Sequence, residues 1–479
     1  MNIVQVPRRF VQSAWGGTET VVLETCKRLL ALGHHAAVLC PNALADRDQE
    51  VVEGVEVRRL PYFYPYWGLR GEARRQLDQK GGNLFSFPLM KALRRYPALD
   101  LVHLHTAKRI GGIVRRVARE RRIPYVVSLH GGVCDVPAAE AQSWTAPTRG
   151  TLEWGKVLGW WVGSRRVLDD AAAILCVGQE EQRLMQERYP RGRVLYLPNG
   201  VDAERFSRGD GRAFRRRRRI PPQARVVLVV GRVAPQKNQL FAVRALPRML
   251  EAAPDAHLLL VGGAADEAYR DRLSREVALR GMGPRVTLTG ELAGQELVDA
   301  YHAADLFLLP SIHEPFGIVI LEAWAAGLPV LASRVGGVPG FVADGRDGLL
   351  FAAGDEGEFL RAFGALAADR ERCGALASAG RAKTREQYTW DRIGERLAAI
   401  YEEVVHDHSL RKREVRLFRR RGAERGRDRR GAAGQGTPVL SGLRRCGGTG
   451  SRGVRSLVRG LFQVLVTGSR TPRRERTGF

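Results

Sequence analysis

The sequence predicts an α/β protein made of two Rossmann-like, doubly wound parallel-sheet domains. Three observations predict it. At 479 residues the chain exceeds what one hydrophobic core serves, so two or more domains are expected. Short apolar runs alternate with helical patterns through two successive halves, the signature of buried parallel strands with helices on both faces. The residues able to do chemistry stand directly after those runs, where open parallel sheets hold ligands.

The first half begins with an apolar strand at residues 3–6, a loop through Gly16 and Gly17, and a helical pattern over 20–32 that Gly33 stops. Further strands are expected at 36–40, 55–60, 101–104, 125–129, 174–177 and 194–196. The second half repeats the scheme, with strands at 226–230, 258–261, 286–288, 306–309 and 330–332 and a helix at 238–250. The halves join near residues 202–223, where the run Arg215 to Arg219 reads as a solvated connector or helix end. Ile393, Leu397, Ile400 and Val404 recur at helical spacing and define a last helix over 390–405. The expected domains are therefore 1–202, 203–389, that helix, and a tail over 406–479.

The net charge of +26 is unevenly spread. Residues 406–479 carry 20 Lys and Arg against 5 Asp and Glu, a net +15, leaving +11 for the remainder. This Arg- and Gly-rich tail has little apolar periodicity before residues 457–466 and reads as disordered. It suits anionic lipid or nucleic acid only through nonspecific attraction. No charged-then-apolar leader pattern opens the chain, and no apolar run reaches the roughly 18 residues of a membrane span, so the expected address is the cytoplasm. Cys26, Cys40, Cys134, Cys176, Cys373 and Cys446 form no C-x-x-C pair, which argues against a disulfide framework or a zinc site.

The most informative stretch runs from Glu314 to Glu322, EPFGIVILE, followed by Ala323-Trp324-Ala325-Ala326-Gly327-Leu328-Pro329-Val330. Pro315 and Gly317 suit a tight turn into a helix, whose first N–H groups are free to bind a diphosphate. If residues 315–322 are helical, the two carboxylates lie roughly 12 Å apart, too far for the paired acids of a hydrolase. They suit the two ends of one ligand. Taken alone, they also suit a helix-N-terminal acid and a solvated helix residue. Gly231-Arg232 follows the 226–230 strand, and Lys237 precedes the next helix; an Arg fork and a Lys point charge there suit a diphosphate. His130 ends the 125–129 strand and is followed by Gly131-Gly132, which let a ligand approach the backbone.

Together these motifs resemble the E-x7-E signature and its companions in retaining glycosyltransferases of family four, over roughly residues 1–405. The resemblance implies the GT-B fold, two Rossmann-like domains facing a central cleft. It also implies that the 390–405 helix crosses back to the first domain. Arg232 and Lys237 would hold the donor diphosphate and stabilise the leaving group. Glu314 would orient the transferred sugar, Glu322 would take the ribose hydroxyls, and backbone N–H groups around Phe316, Gly317 and Ile318 would meet sugar or phosphate oxygens. His130 would lie against the donor sugar and His105 would line the acceptor side. Gly16 and Gly17 resemble the loop that lets donor phosphate approach backbone, and Asn199-Gly200-Val201-Asp202 resembles the interdomain element. Gly178, Val261-Gly262-Gly263-Ala264 and Gly340 depart from the family pattern, where Ser, a G-x-G-P loop and Glu are common.

The implied activity is retaining transfer from a nucleoside diphosphate sugar to a glycan or lipid-linked glycan acceptor, in making surface polysaccharide or lipopolysaccharide. No metal or other cofactor is expected, and the cations and helix N-terminus would meet the leaving group. A peripheral contact with an anionic membrane is a further expectation; nucleic acid is not an expected partner. Arg115, Arg119 and Arg122 share one helix face suited to such a membrane. Tyr62-Phe63-Tyr64-Pro65-Tyr66-Trp67 and the segment with Trp154, Trp160 and Trp161 suit sugar stacking, a membrane interface, or simply core packing. The alternative of a different class is a non-catalytic, Arg-rich nucleic-acid or membrane binder on the same scaffold.

Overall fold

The computed structural model describes residues 1–12, 15–131 and 146–432, with side chains up to Glu414 except that of Lys80. Gly132, Cys134, Cys446 and the tail from 433 onward lie outside the described residues. Residues Met1–Arg413 form one compact unit, and the architecture below is that unit's.

Its first sheet contains β1 (Asn2–Val6), β2 (His35–Pro41), β3 (Gln49–Val52), β4 (Val55–Leu60), β6 (Leu101–Leu104), β7 (Tyr125–Leu129), β9 (Ala173–Cys176) and β10 (Val194–Tyr196), with a small hairpin of β5 (Tyr66–Trp67) and β8 (Leu152–Glu153) outside it. The order is β10-β9-β7-β6-β1-β2-β4-β3, parallel throughout except for the edge pair β3 and β4. The second sheet contains β11 (Arg225–Val230), β12 (Ala256–Val261), β13 (Val286–Gly290), β14 (Leu306–Leu309), β15 (Val330–Ser333) and β16 (Leu349–Phe351), in the all-parallel order β13-β12-β11-β14-β15-β16. Strand order reverses between β1 and β6 in the first sheet and between β11 and β14 in the second. Those are the two places where crevices open beyond the strand ends.

Every expected strand is present, and four others were not expected. β3 is an edge strand whose polar residues carry no buried run; it is turned by Glu53 and Gly54, both at positive φ (47° and 84°), the geometry of a two-residue hairpin. β5 and β8 are two residues long and β16 three, too short for a period to register.

Each sheet is covered on both faces. In the first domain one layer includes Trp390, Ile393, Leu397, Tyr401 and Val404, so the last helix completes the core of the domain at the opposite end of the chain. That helix is Trp390–Ala432, and it therefore runs past the expected end at 405 and into the expected tail. Asn199 to Asp202 carries the return. The Val201 N–H donates to the Tyr388 carbonyl at 2.8 Å, and a Cβ on Gly200 would lie 2.7 Å from Trp390 Cε3.

Of the two basic segments, the Arg215–Arg219 run is the expected helix end and not a free connector, and the Arg115 face is partly turned inward. Arg215 is not solvated: it donates to the Ala303 carbonyl and pairs with Asp305 at 2.8 Å, while Arg217 and Arg218 pair with Asp299 and Glu296. The run ends a helix over Gly211–Arg217 and fastens it to the second domain. Arg115 is buried and paired with Asp170, which also takes Arg119, and Arg122 is the left-handed cap of the Lys108–Arg121 helix. Arg115 thus holds its own domain together, while Arg119 and Arg122 remain exposed.

Candidate active site

At the switch point of the second sheet, the loops after β11 and β14 are laced together. Pro235–Lys237 forms a short turn; Gln236 Nε2 donates to the His313 carbonyl at 3.0 Å and the Ile312 N–H to the Gln236 carbonyl at 2.9 Å. The lacing sets Lys237 Nζ 2.5 Å from the buried carboxylate of Glu314, which also accepts from Ser311 Oγ at 3.3 Å. Gly231 (φ 151°) lies against the Lys237 stem, since a Cβ there would be 3.4 Å from Lys237 Cδ. Gly262 lies so close to the Gly231 carbonyl that its Cβ would sit 2.0 Å away, which requires a glycine in this departure from the family loop. Arg232 follows Gly231 with its side chain exposed.

Glu314 lies in the loop, not in a helix. The helix is Ile318–Ala325, with Gly317 as a left-handed N-cap at φ 95°, so the expected turn is present and Ile318 is the first helical residue. Phe316 is buried and stacked on Phe341 at 4.6 Å, which leaves only its backbone available to a ligand. Glu322, on the second turn, is half-buried and not the solvated residue a bland reading would give. Its Oε2 accepts from Tyr301 OH at 2.5 Å. Desolvation raises its pKa above the ordinary carboxylate value, outweighing the Tyr301 hydrogen bond and the charge of Arg205.

The first domain meets this region directly. Gly16 caps and Gly17 begins the first helix, and a Cβ on Gly17 would be 4.0 Å from Ile318 Cδ1. Gly131, at φ 83°, packs on Pro315, where a Cβ would fall 2.2 Å from Pro315 Cβ. Gly178 faces the Pro315 carbonyl and Gly340 faces the Gln179 side chain. These two departures from the family pattern thus stand at the domain contact, where absent side chains permit close approach. A shallow crevice opens there, between Gly131, Gly178 and Glu181 on one side and His313, Pro315 and Gly337 on the other.

His130 directly follows β7, with its Nε2 2.8 Å from His105 Nδ1. Burial lowers the pKa of His130 to about 4 and holds that of His105 well below 6.5. His105 does not line an acceptor pocket: it is buried, with both ring nitrogens bonded, one to His130 and the other to Gln5 Oε1 at 2.6 Å. The sequence reading missed Tyr301, Ser311 and Gln5. Ser311, three residues before Glu314, was within reach of a motif search; Tyr301 and Gln5 were not, because folding brings them from other elements.

Two sequence profiles match the chain: "glycosyl transferase 4-like domain" over residues 16–200 and "glycosyl transferases group 1" over residues 210–383. The D-inositol 3-phosphate glycosyltransferase of Stackebrandtia nassauensis is 30% identical over 410 residues, covering 82% of this chain and 88% of its own. The same-named protein of Nocardia farcinica is 32% identical over 367 residues, covering 74% and 78%. Among solved structures, sucrose-phosphate synthase from Thermosynechococcus elongatus superposes with a TM-score of 0.66 at 22% identity, covering 85% of this chain and 99% of that one. Anabaena HepE in complex with UDP-glucose superposes with a TM-score of 0.63 at 20% identity, covering 84% and 100%. With its two doubly wound domains meeting around Glu314, the chain belongs to the group 1 glycosyltransferases of GT-B fold.

Proposed function

We propose that this glycosyltransferase moves a sugar, with retention at the anomeric carbon, from a nucleoside diphosphate sugar to a glycan or lipid-linked glycan of the cell surface. The observation that carries this reading is the Lys237–Glu314 pair at the second sheet's switch point, in the loop whose Pro315 packs on Gly131 beside His130. Lys237 and Arg232 take the diphosphate, joined by the free N–H groups that open the Ile318–Ala325 helix. Glu314, freed from Lys237 as the diphosphate takes its place, orients the sugar. Glu322 takes the ribose hydroxyls through the oxygen that Tyr301 leaves open.

The acceptor oxygen forms its bond to the anomeric carbon on the face from which the diphosphate leaves. Its proton passes to a donor phosphate oxygen, so the nucleoside diphosphate departs as the conjugate acid. Cations and helix N–H groups of the protein meet the charge that develops, without a metal ion. Closure of the domains about Gly131 and Pro315 excludes water.

A phosphorylated polyol is a second acceptor reading, in keeping with the relatives named for inositol 3-phosphate. Arg8 and Lys108 favour it. They follow the switch-point strands β1 and β6 and converge on Gly81: Lys108 Nζ is 3.5 Å from its carbonyl, and Arg8 Nε, buried without a hydrogen-bond partner, is 4.0 Å from where its Cβ would be.

The test is a donor panel on the full chain. At least one nucleoside diphosphate sugar should raise the unfolding temperature, by about 2.7 kcal/mol of added stability at a hundred times its Kd. Lys237→Ala and Glu322→Ala should lose that response, and Lys237→Ala should lower kcat/KM by roughly 10²–10³-fold. No shift with any nucleotide in the wild-type protein sinks the reading. Product NMR reads the anomeric configuration, and offering glycan and phosphopolyol acceptors side by side decides between them.

A further inference from the structure

Six polar side chains form an unbroken line of hydrogen bonds from Ser128, through Tyr401 of the last helix, to His130. Ser128 Oγ is 2.7 Å from His103 Nε2, and His103 Nδ1 is 2.5 Å from Tyr401 OH. Tyr401 OH is 3.2 Å from Gln5 Nε2, Gln5 Oε1 is 2.6 Å from His105 Nε2, and His105 Nδ1 is 2.8 Å from His130 Nε2. Ser128, His103, Tyr401, Gln5 and His105 are all buried.

The three histidines are neutral, because burial depresses each pKa, to about 3 at His103 and about 4 at His130. A neutral imidazole has one N–H and one lone pair, so successive bonds must run in one direction. The Gln5 amide sets that direction: Nε2 only donates and Oε1 only accepts. His105 therefore carries its proton on Nε2 and offers the Nδ1 lone pair. His130 must then donate from Nε2, which leaves its own Nδ1 unprotonated and without a partner among the described residues. On the other side, Tyr401 accepts from Gln5 and donates to His103 Nδ1, and His103 Nε2–H donates to Ser128.

We propose that Tyr401, Gln5 and His105 are positioning residues that hold His130 as the Nε2-protonated imidazole, presenting its Nδ1 lone pair to a hydroxyl of the bound substrate. This rests on the glycosyltransferase reading above. It gives the returning helix a part in the chemistry, since Tyr401 stands 298 residues from His103 and reaches it only when that helix is docked. Reversing the Gln5 amide would invert every bond in the line and put N–H on His130 Nδ1. The two directions are chemically distinct.

The experiment is long-range ¹⁵N–¹H correlation on the full chain with ¹⁵N-labelled histidine rings, the His130 signals being assigned with His130→Gln. The wild-type protein at pH 7 should show His130 with a protonated Nε2 and a bare Nδ1. In Tyr401→Phe the Gln5 amide loses the oxygen it donates to, and the His130 pattern should become a mixture. The same variant should lose about tenfold in kcat with donor KM unchanged. Its unfolding temperature and its response to nucleotide identify any general loss of folding, and the wild-type spectrum tests the tautomer independently of that variant. A bare Nε2 or a protonated ring in the wild type, or unaltered His130 signals in a folded Tyr401→Phe, overturns the inference. Failure of every nucleotide to bind the wild type would instead strike the glycosyltransferase reading, leaving the tautomer result standing.

Discussion

His103 and His105, buried, and His130, half-buried, stand uncharged at the ends of adjacent strands, and their desolvation has a thermodynamic sign. Each has a folded-state pKa below its ordinary 6.5, about 3 for His103 and about 4 for His130, so the unfolded chain binds more protons between those values and 6.5. Their contribution to stability is complete above about pH 6.5 and is lost as pH falls toward the folded values. Thermal unfolding should therefore move to lower temperature between pH 7.5 and pH 5.0, and His103→Gln should flatten that dependence. An unfolding temperature that rises on acidification would contradict this. The sequence revealed the chemistry of single residues unevenly. The loops that carry Lys237, Glu314 and His130 were legible because each follows an apolar strand, where a parallel sheet exposes its loops. Tyr401 and Gln5 were not, because the hydrogen bond between them spans 396 residues and neither belongs to a local pattern. His105 was misread as an acceptor contact because sequence cannot tell a side chain at the mouth of a crevice from one sealed beneath it.

Elements of uniform apolar character were readable and those of mixed character were not. β1, β6 and β11 announced themselves by runs of buried residues, whereas the β3 edge and the β5–β8 hairpin owe their form to pairing partners. Loops show the same division. The Pro315-Gly317 turn was predictable from its residues, but its contact with Gly131 arises only when the domains meet. Alanine at position 131 would have to adopt φ 83° and place its Cβ 2.2 Å from Pro315 Cβ. The left-handed backbone alone costs about 1–2 kcal/mol, and the clash must be relieved by moving the domains apart. Gly131→Ala is expected to keep nucleotide affinity, which the second domain supplies, while kcat falls at least tenfold; steady-state kinetics beside equilibrium donor binding separates the two. Equal loss of both quantities would show that Gly131 matters to donor binding itself.

Across the Met1–Arg413 unit, exposed apolar surface falls on the aromatic segments that the sequence singled out, and not on the basic helix. Arg115 of the basic helix face is paired within its own domain, and no helix among the described residues is long and apolar enough to cross a membrane. The exposed apolar side chains concentrate instead on the β5–β8 hairpin and the Lys156–Val162 helix: Trp67, Leu152, Val157 and Trp160 are 62–83% exposed. Exposed Arg70, Arg75 and Lys156 accompany them. Phe63 stacks on Trp154 at 6.0 Å behind this surface, so the two aromatic segments are one cluster with a packed interior and a bare rim. An apolar rim accompanied by basic side chains suits an anionic membrane surface. Vesicles containing anionic lipid should sediment the wild-type protein at low salt, and Trp67→Ser with Trp160→Ser should reduce the bound fraction several-fold; no sedimentation, or binding unchanged in the double variant, would contradict a membrane role for this rim. The returning helix has one more consequence, which concerns synthesis. A layer of the first domain's core is filled by Trp390 to Val404, so that domain stays unfinished on the ribosome while some 200 further residues are translated, about 10–40 s at ordinary elongation rates. Through that interval the nascent sheet keeps an uncovered apolar face, and chaperone demand should peak before the last helix emerges.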